Sequence, residues 1–296
     1  MFAEIAQSVQ DQTFILSGQT ITIRRLDQIH PQISGNKFFK LKYNFEQAQQ
    51  NGCHKILSFG GAYSNHIAAT AYAAHRFGFE SVGIIRGDEL KDRTLNPTLA
   101  LAQHLGMQLH FVSRADYRQK TDPIFLAQLQ QQYPEHYVIP EGGSNALAIQ
   151  GCQEILSTED EKFDVICCPV GTGGTIAGLI QASRPHQHIL GFSALKGDFL
   201  KHDVAQLTQK TNWHITDAYC FGGYAKIDAH LLQFITDFEQ RFSIPLEQVY
   251  TAKMLYGLND LIQQQYFAPH QNILVIHTGG LQGKMKSELS NRTVLI

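Results

Sequence analysis

The chain has 296 residues, of which 43% are hydrophobic and 17% charged, and its formal net charge is −2. That is enough apolar material for one large domain or two closely packed ones. Lysine and arginine are scattered along the chain, which excludes nucleic acid as the main partner, because phosphate neutralisation needs clustered basic residues.

Three further features favour a cytoplasmic protein. Residues 1–14 show no basic stretch followed by an apolar one, so we expect no secretory signal. No run reaches the ~18 apolar residues of a membrane-spanning helix, so we expect no membrane partner. The five cysteines are odd in number and include no C-x-x-C, which predicts free thiols in a reducing compartment.

The histidines show no metal-binding spacing, so we expect no metal site.

Strands and helices are predicted to alternate along the first half of the chain. Residues 14–26 alternate apolar and polar, which predicts a hairpin or an edge strand. A helix follows over 41–50 and ends at the stop signal Asn51-Gly52. The next strands are predicted at 55–59, 81–86, 108–112 and 137–139, and the next helices at 65–77, 96–105 and 123–133. Strands separated by helices of this length indicate parallel βαβ units.

A second α/β series is predicted from about residue 146 onwards. Residues 195–226 show no clear periodicity and are predicted to be irregular. The two series are expected to pack against each other, with a ligand site between them. The strands of the second series are predicted at 163–170, 188–193 and 272–277, and its helices at 149–156, 176–183, 231–242 and 254–265.

Four glycine-rich segments stand at the carboxyl ends of predicted strands, where open parallel sheets bind their ligands. The clearest anion site is 171–175 (GTGGT), because glycines let the backbone approach a phosphate and a helix N-terminus follows. Its spacing matches neither a dinucleotide fingerprint nor a P-loop. The alternative is a plain strand–turn–helix connection. The other three segments are 60–65 (GGAYSN), 141–145 (EGGSN) and 278–280 (TGG).

Two lysines, Lys37 and Lys40, lie three residues apart after a Ser-Gly turn signal. If a helix begins near Asn36, both ammonium groups lie on one face. One lysine could then lose its proton and act as a nucleophile while the other holds an anion. The alternative is an ordinary helix start with solvated lysines. Ser64 and Asn65 also allow two interpretations: they could simply cap a helix, or the N-terminus of that helix could bind a substrate carboxylate.

Together these segments are what a pyridoxal phosphate enzyme needs. Such an enzyme requires a lysine for the Schiff base, a phosphate loop without metal-binding carboxylates, and a second anion site for the substrate. A phosphometabolite-binding α/β protein without covalent chemistry is an alternative, and it explains Gly171–Thr175 but leaves Lys37 without a role. A third interpretation keeps the cofactor but uses it for another reaction, such as racemisation or β-replacement.

Six segments, taken in order, resemble the aminocyclopropane-carboxylate deaminase/D-cysteine desulfhydrase family. They are HPQISGNKFFKLKYN, LSFGGAYSNHIAATA, PEGGSN, PVGTGGTIAG, VYTAK and IHTGG, within residues 24–283. The resemblance implies a pyridoxal 5'-phosphate cofactor, a small amino-acid substrate and a homodimer. It implies an α/β fold of the tryptophan synthase β-like type, with two open, mostly parallel sheets flanked by helices. The implied domains are a large cofactor-binding domain over 1–39 and 148–296 and a small α/β domain over 40–147.

The resemblance also implies roles for four side chains that act in the reaction or hold the cofactor. Lys37 would bind the cofactor as a Schiff base and shuttle protons, and Lys40 would stay charged beside the cofactor phosphate. Tyr224 and Tyr250 match the positions of the family's two active-site tyrosines. Tyr224 matches less closely, because Ala225 stands where the family has a glycine.

The remaining implied contacts divide between cofactor and substrate. Asn65 would hydrogen-bond the ring hydroxyl of the cofactor. Asn65 and His66 would contact the substrate, and Ser64 would contact the substrate carboxylate or assist proton transfer. The phosphate would be held by Gly171, Thr172, Gly173, Gly174 and Thr175.

Two threonines, Thr251 and Thr278, are implied near the pyridine nitrogen and indicate which reaction to expect. Ring-opening deaminases of the family place a glutamate after the second tyrosine, where this chain has Thr251. A neutral hydroxyl cannot keep the pyridine protonated as a carboxylate can, which favours β-elimination over cyclopropane opening. We therefore expect elimination from D-cysteine or a similar small amino acid to pyruvate, ammonia and sulfide. The alternative is opening of 1-aminocyclopropane-1-carboxylate to 2-oxobutyrate and ammonia.

Overall fold

Two β-sheets flanked by helices make up the computed structural model of the protein, which describes residues 1–284. The strands are β1 (Asp11–Leu16), β2 (Gln19–Arg24), β3 (Lys55–Gly60), β4 (Glu80–Arg86), β5 (Met107–Val112), β6 (His136–Ile139), β7 (Val165–Val170), β8 (His188–Ser193), β9 (Trp213–Thr216) and β10 (Ile273–Ile276). The helices are α1 (Asn36–Gln50), α2 (Asn65–Phe77), α3 (Pro97–His104), α4 (Arg114–Arg118), α5 (Pro123–Gln132), α6 (Ala146–Gln153), α7 (Gly174–Ala182), α8 (Phe199–Ala205), α9 (Ala229–Phe242) and α10 (Thr251–Gln263). The predicted fold class, two mostly parallel sheets flanked by helices, is confirmed.

The larger sheet has six strands in the order β1-β2-β10-β7-β8-β9. β1 and β2 form the predicted hairpin, and every other neighbouring pair in this sheet is parallel. All residues of β7 and β10 are buried. Helices cover both faces of a parallel sheet, which is why its central strands are continuous apolar runs in the sequence.

The smaller sheet has four parallel strands in the order β5-β4-β3-β6. Its strands all lie between residues 55 and 139, whereas those of the larger sheet lie at 11–24 and 165–276. The chain therefore leaves the larger sheet after β2 and returns to it at β7. The exact domain boundaries stay a prediction.

Helix α1 connects the two sheets and is fixed by two close backbone contacts. It begins at Asn36, after Gly35, which has a φ of 66°. A Cβ on Gly35 would lie 1.9 Å from the carbonyl oxygen of Thr278, so only glycine fits there. A Cβ on Gly151 of α6 would likewise lie 2.0 Å from the carbonyl oxygen of Phe39. The start of α1 is thus held against the loop after β10 and against α6.

The structure differs from the predicted elements in several places, of which the short helix α4, the region 195–226 and the start of α1 are the main ones. Residues 195–226 were predicted to be irregular, but they contain α8 and the edge strand β9, which pairs with β8. That prediction is wrong because these elements have only seven and four residues, too few for a clear period. Helix α1 also begins five residues before the predicted position 41 and includes Lys37 and Lys40.

Within residues 1–284, every helix is too short or too polar to span a bilayer. All five cysteines are free, and four of them are buried.

Candidate active site

A cavity of about 530 Å³ lies between the two sheets, at the carboxyl ends of their strands. Small-molecule sites have volumes of ~300–1,000 Å³. All four glycine-rich segments contribute to its wall, together with Lys37 at the start of α1. Sequence segments that are more than 200 residues apart therefore meet at one place, because parallel strands end at the same edge of a sheet.

Lys37 presents an amine with an unusual pKa to this cavity. Its side chain is half-buried, and its Nζ donates a hydrogen bond of 3.0 Å to Oδ1 of Asn36. The Asn36 amide in turn donates to Oγ1 of Thr175 at 2.8 Å. Burial and the nearby charge of Lys40 lower the pKa of Lys37 to about 7. A large fraction of this amine is therefore neutral and nucleophilic near neutral pH.

Lys40 lies one turn further along α1 and is almost fully buried, with 2% of its surface exposed. Its Nζ donates to the carbonyl oxygen of Gly142 at 2.9 Å, to Oγ of Ser144 at 3.0 Å and to Oγ1 of Thr172 at 3.2 Å. Burial lowers the pKa of Lys40. An anion bound at the neighbouring loop would counteract this shift, because an opposite charge favours the ammonium form.

The loop from Gly171 to Thr175 has the shape of an anion cradle. Gly173 has a φ of 80°, and α7 begins directly after it at Gly174 without a side-chain cap. The first N–H groups of α7 are therefore available to a ligand. A Cβ on Gly174 would lie 3.0 Å from Nζ of Lys40, so a side chain there would displace the ammonium group.

Ser64 and Asn65 lie at the start of α2, where Ser64 caps the helix and both residues line the cavity. Oγ of Ser64 accepts a hydrogen bond of 3.2 Å from the N–H of Ile67, so Ser64 is the N-cap of α2. Asn65 lines the cavity, and its Oδ1 accepts a bond of 2.6 Å from the side-chain amide of Gln282. Ser64, Asn65 and His66 at the start of α2 line the cavity, and a helix N-terminus favours a bound carboxylate.

His66 supplies an unpaired acceptor beside this helix start. The hydroxyl of Ser58 donates to the carbonyl oxygen of Ile139, so it accepts from Nε2 of His66, 2.8 Å away. Nδ1 is then an acceptor, and it has no partner among the described residues. Burial and the charges of Lys37 and Lys40 hold the pKa of His66 well below its ordinary value. A neutral imidazole therefore lines the cavity.

Tyr224 and Tyr250 also line the cavity, with their ring centroids 6.2 Å apart. Burial and the neighbouring Tyr224 and Glu247 raise the pKa of Tyr250 well above its ordinary value, so its hydroxyl stays protonated. A Cβ on Gly171 would lie 2.9 Å from the ring of Tyr250, so this tyrosine needs a glycine in the anion loop. Ala225, after Tyr224, has a φ of 55°, in the region that favours glycine.

A model of the family described as "pyridoxal-phosphate dependent enzyme" matches residues 16–279. The chain belongs to this family. The enzyme is 32% identical over 289 residues to a protein of Thermotoga maritima that is named provisionally as a 1-aminocyclopropane-1-carboxylate deaminase, with 90% of each chain covered. Membership excludes the alternative of a binding protein without covalent chemistry.

Two further relatives extend this likeness. A mitochondrial protein of Arabidopsis thaliana, named as a bifunctional D-cysteine desulfhydrase/1-aminocyclopropane-1-carboxylate deaminase, is 29% identical over 300 residues, covering 90% of this chain and 74% of the relative. The crystal structure of an ACC deaminase homologue superposes with a TM-score of 0.80 at 27% identity, covering 94% of this chain and 91% of the homologue. The predicted family resemblance, cofactor and tryptophan synthase β-like fold are thereby confirmed.

The cavity of the enzyme fits pyridoxal phosphate. The amine of Lys37 with its lowered pKa suits a Schiff base, and the loop from Gly171 to Thr175, backed by Lys40, suits a phosphate. Nδ1 of His66 is a buried acceptor without a partner among residues 1–284, and a bound ligand would supply one.

Three of the predicted site residues of the enzyme do not line the cavity. Lys40 and Gly174 lie directly behind the anion loop. Thr251 is fully buried. Its Oγ1 accepts from the N–H of Glu247 at 3.2 Å and donates to the carbonyl oxygen of Glu247 at 3.3 Å. The role expected of Thr251 at the pyridine nitrogen stays a prediction, and in the structure its hydroxyl is used in the turn that begins α10. Thr278 does line the cavity.

Glu247 is a residue of the enzyme that the sequence reasoning missed. It is 2% exposed, and its carboxylate accepts hydrogen bonds from the N–H groups of Val249, Tyr250 and Thr251. Burial raises its pKa to about 7. This carboxylate fixes the backbone that carries Tyr250. The sequence gives no signal for it, because glutamate is not a typical N-cap residue and Glu247 stands three positions before the N-cap, Tyr250.

Cofactor capture by the apoenzyme is expected to change with pH around a midpoint near 7. The pKa of Lys37 is lowered to about 7, and only the neutral amine attacks an aldehyde. The capture rate should rise about tenfold per pH unit below this value and level off above it. Stopped-flow absorbance after mixing with pyridoxal phosphate measures that rate. A rate that keeps rising towards pH ~10 would show that Lys37 keeps its ordinary pKa.

Proposed function

We propose that the enzyme catalyses β-elimination from D-cysteine or a similar small amino acid. The net reaction converts D-cysteine and one water into pyruvate, ammonia and hydrogen sulfide. The Cβ–S bond breaks, and its electron pair leaves with the sulfur. Bound pyridoxal phosphate supplies the electron sink that makes loss of the Cα proton feasible.

The observation that carries the proposal is the neutral wall at the loop after β10. Thr278 lines the cavity there with a hydroxyl group. Glu141 is the acidic side chain among the described lining residues, and it is held by the hydroxyl of Tyr117 at 2.7 Å and by Lys120 at 3.3 Å. The carboxylate of Glu247 lies next to Gly280 of this loop, but it accepts three backbone N–H groups and does not line the cavity. The described lining at this loop thus offers a hydroxyl rather than a carboxylate to a ring nitrogen, which favours a reaction whose leaving group departs early over cleavage of a cyclopropane ring.

The remaining residues fit elimination. The N–H groups at the start of α2, with Ser64 and Asn65, would bind the substrate carboxylate. Nζ of Lys37, with its pKa of about 7, would accept the Cα proton. Tyr250 keeps its proton, so its hydroxyl would donate a hydrogen bond to the departing sulfur. Tyr224 would cover the same side of the substrate.

Ring opening of 1-aminocyclopropane-1-carboxylate to 2-oxobutyrate and ammonia is the second candidate. It is favoured by the names of the Thermotoga maritima relative and of the superposed crystal structure. A cytoplasmic location and a homodimer stay predictions from the sequence and its resemblance.

A substrate panel is expected to separate the two reactions. The holoenzyme should release pyruvate from D-cysteine and from β-chloro-D-alanine, with kcat/KM at least about tenfold above that for 2-oxobutyrate release from 1-aminocyclopropane-1-carboxylate. L-Cysteine serves as the control for handedness. Rapid release of 2-oxobutyrate together with no pyruvate from either D-amino acid would contradict the proposal and favour ring opening.

A further inference from the structure

One guanidinium group of the cavity wall has no acidic partner within the described part of the chain. Arg86 is the last residue of β4, and its side chain is exposed at the cavity wall. Its guanidinium carbon lies 5.9 Å from the ring centroid of Tyr117. The guanidinium group makes no hydrogen bond or ion pair with any described residue. An unpaired guanidinium in a ligand cavity is ready to bind an anion, because its fork of donors matches two oxygens at once.

The other charged groups of this wall are already paired. Nε and Nη2 of Arg114 donate to the carboxylate of Glu89. Glu141 is bound by Tyr117 and Lys120, and so does not compensate Arg86. The charge of Arg86 therefore remains available to the contents of the cavity.

Arg86 stands where the side chain of a bound amino acid would lie. Its Nη2 would be 3.7 Å from a Cβ on Gly61, in the loop that leads to the proposed carboxylate site at the start of α2. Its charge also acts on the hydroxyl of Tyr224, another residue of the cavity lining. A group held between these two features lies beyond the α-carboxylate, on the side of the β-substituent.

We propose that Arg86 selects substrates whose β-substituent is an oxyanion, such as a phosphate ester. The inference rests on the proposed β-elimination and names a substrate class for it. For O-phospho-D-serine, the Cα–H bond is broken by the base, and the Cβ–O bond breaks with its electron pair leaving on phosphate. The enamine that remains takes up one water to give pyruvate and ammonia. No oxidant or reductant is needed, and the guanidinium stabilises the charge of the departing phosphate.

Arg86→Gln removes the charge and keeps much of the side-chain length, and Arg118→Gln is the matched control on α4. Arg118 is exposed and does not line the cavity. We expect Arg86→Gln to lower kcat/KM for O-phospho-D-serine by about 30-fold, the typical effect of a lost charge-assisted hydrogen bond. The value for β-chloro-D-alanine, which has an uncharged substituent, should change less than about threefold, and Arg118→Gln should change neither.

Two outcomes would overturn the assignment of Arg86. An equal loss on both substrates would show that Arg86 binds the α-carboxylate, and no change on either would show that it binds neither. A failure of the proposed function looks different: the wild-type enzyme would release no pyruvate from any of these substrates.

A binding measurement decides the inference even without turnover. Isothermal calorimetry with the wild-type holoenzyme should give a lower Kd for O-phospho-D-serine than for D-serine, and Arg86→Gln should remove the difference. Equal Kd values in the wild-type enzyme would contradict the inference.

Discussion

Lys37→Ala is expected to abolish both the visible absorption of the enzyme and its turnover. Nζ of Lys37 lies at the cavity wall and has a pKa of about 7, so it is the amine best suited to form the Schiff base. Removal of a covalent nucleophile costs at least about 10³-fold in kcat. Absorption spectra after addition of pyridoxal phosphate and removal of the excess, together with pyruvate release, measure both effects.

Lys42→Ala is the matched control for Lys37→Ala. Lys42 lies on the same helix, and its ammonium group pairs with Glu154 at 2.8 Å on the surface. Its replacement should leave the spectrum and the turnover unchanged. A visible band that survives in Lys37→Ala would refute the role of Lys37. It would point instead to another buried amine, such as Lys253, whose Nζ donates to the carbonyl oxygens of Cys220 and Gly223.

Lys40→Ala is expected to weaken cofactor retention without preventing the Schiff base. Nζ of Lys40 contacts Thr172 in the anion loop, so its loss removes a positive charge next to the phosphate. Hydrogen bonds to charged groups contribute ~1.5–3 kcal/mol, which predicts a Kd for pyridoxal phosphate higher by about 10- to 100-fold. Titration of the apoenzyme, followed by its visible absorption, measures this Kd, and the full band should return at saturation.

Pyridoxal without the phosphate group provides the control for Lys40→Ala. If Lys40 acts through the phosphate, the variant and the wild-type enzyme should bind pyridoxal with similar affinity. Equal weakening for pyridoxal and pyridoxal phosphate would instead indicate a general disturbance of α1. Complete loss of the band at saturating cofactor would show that Lys40, too, is required for the covalent bond.

Much of the fold could be predicted because its elements have clear patterns and strong boundaries. Helix α2 has the predicted bounds 65–77, since Ser64 caps its start and Gly78 ends it. Strand β8 also has its predicted bounds, 188–193. The start of α1 was placed too late, because its N-cap is Gly35 rather than a side-chain cap, and the position of Gly35 is set by its contact with Thr278.

The parts of the site that could not be predicted depend on contacts between residues far apart in the sequence, or on hydrogen bonds that keep a side chain out of the cavity. Nothing in the sequence around Glu247 shows that its carboxylate is buried, and Thr251 is withdrawn from the cavity by its contacts with that residue. The orientation of His66 depends on Ser58, whose hydroxyl donates to the carbonyl oxygen of Ile139 in β6, the strand beside β3 in the sheet. Arg86 ends a strand like many surface arginines, and the sequence does not show that its guanidinium lacks a hydrogen-bonding partner among residues 1–284.

The attachment of the cofactor at Lys37 is the central claim, and borohydride reduction tests it most directly. Reduction of the holoenzyme fixes the cofactor to its lysine, and peptide mapping by mass spectrometry then identifies that residue. The pyridoxyl phosphate group should be found on the peptide that contains Lys37 and, within that peptide, on Lys37 rather than Lys40. Modification of Lys40, of Lys253 or of no lysine at all would contradict the claim.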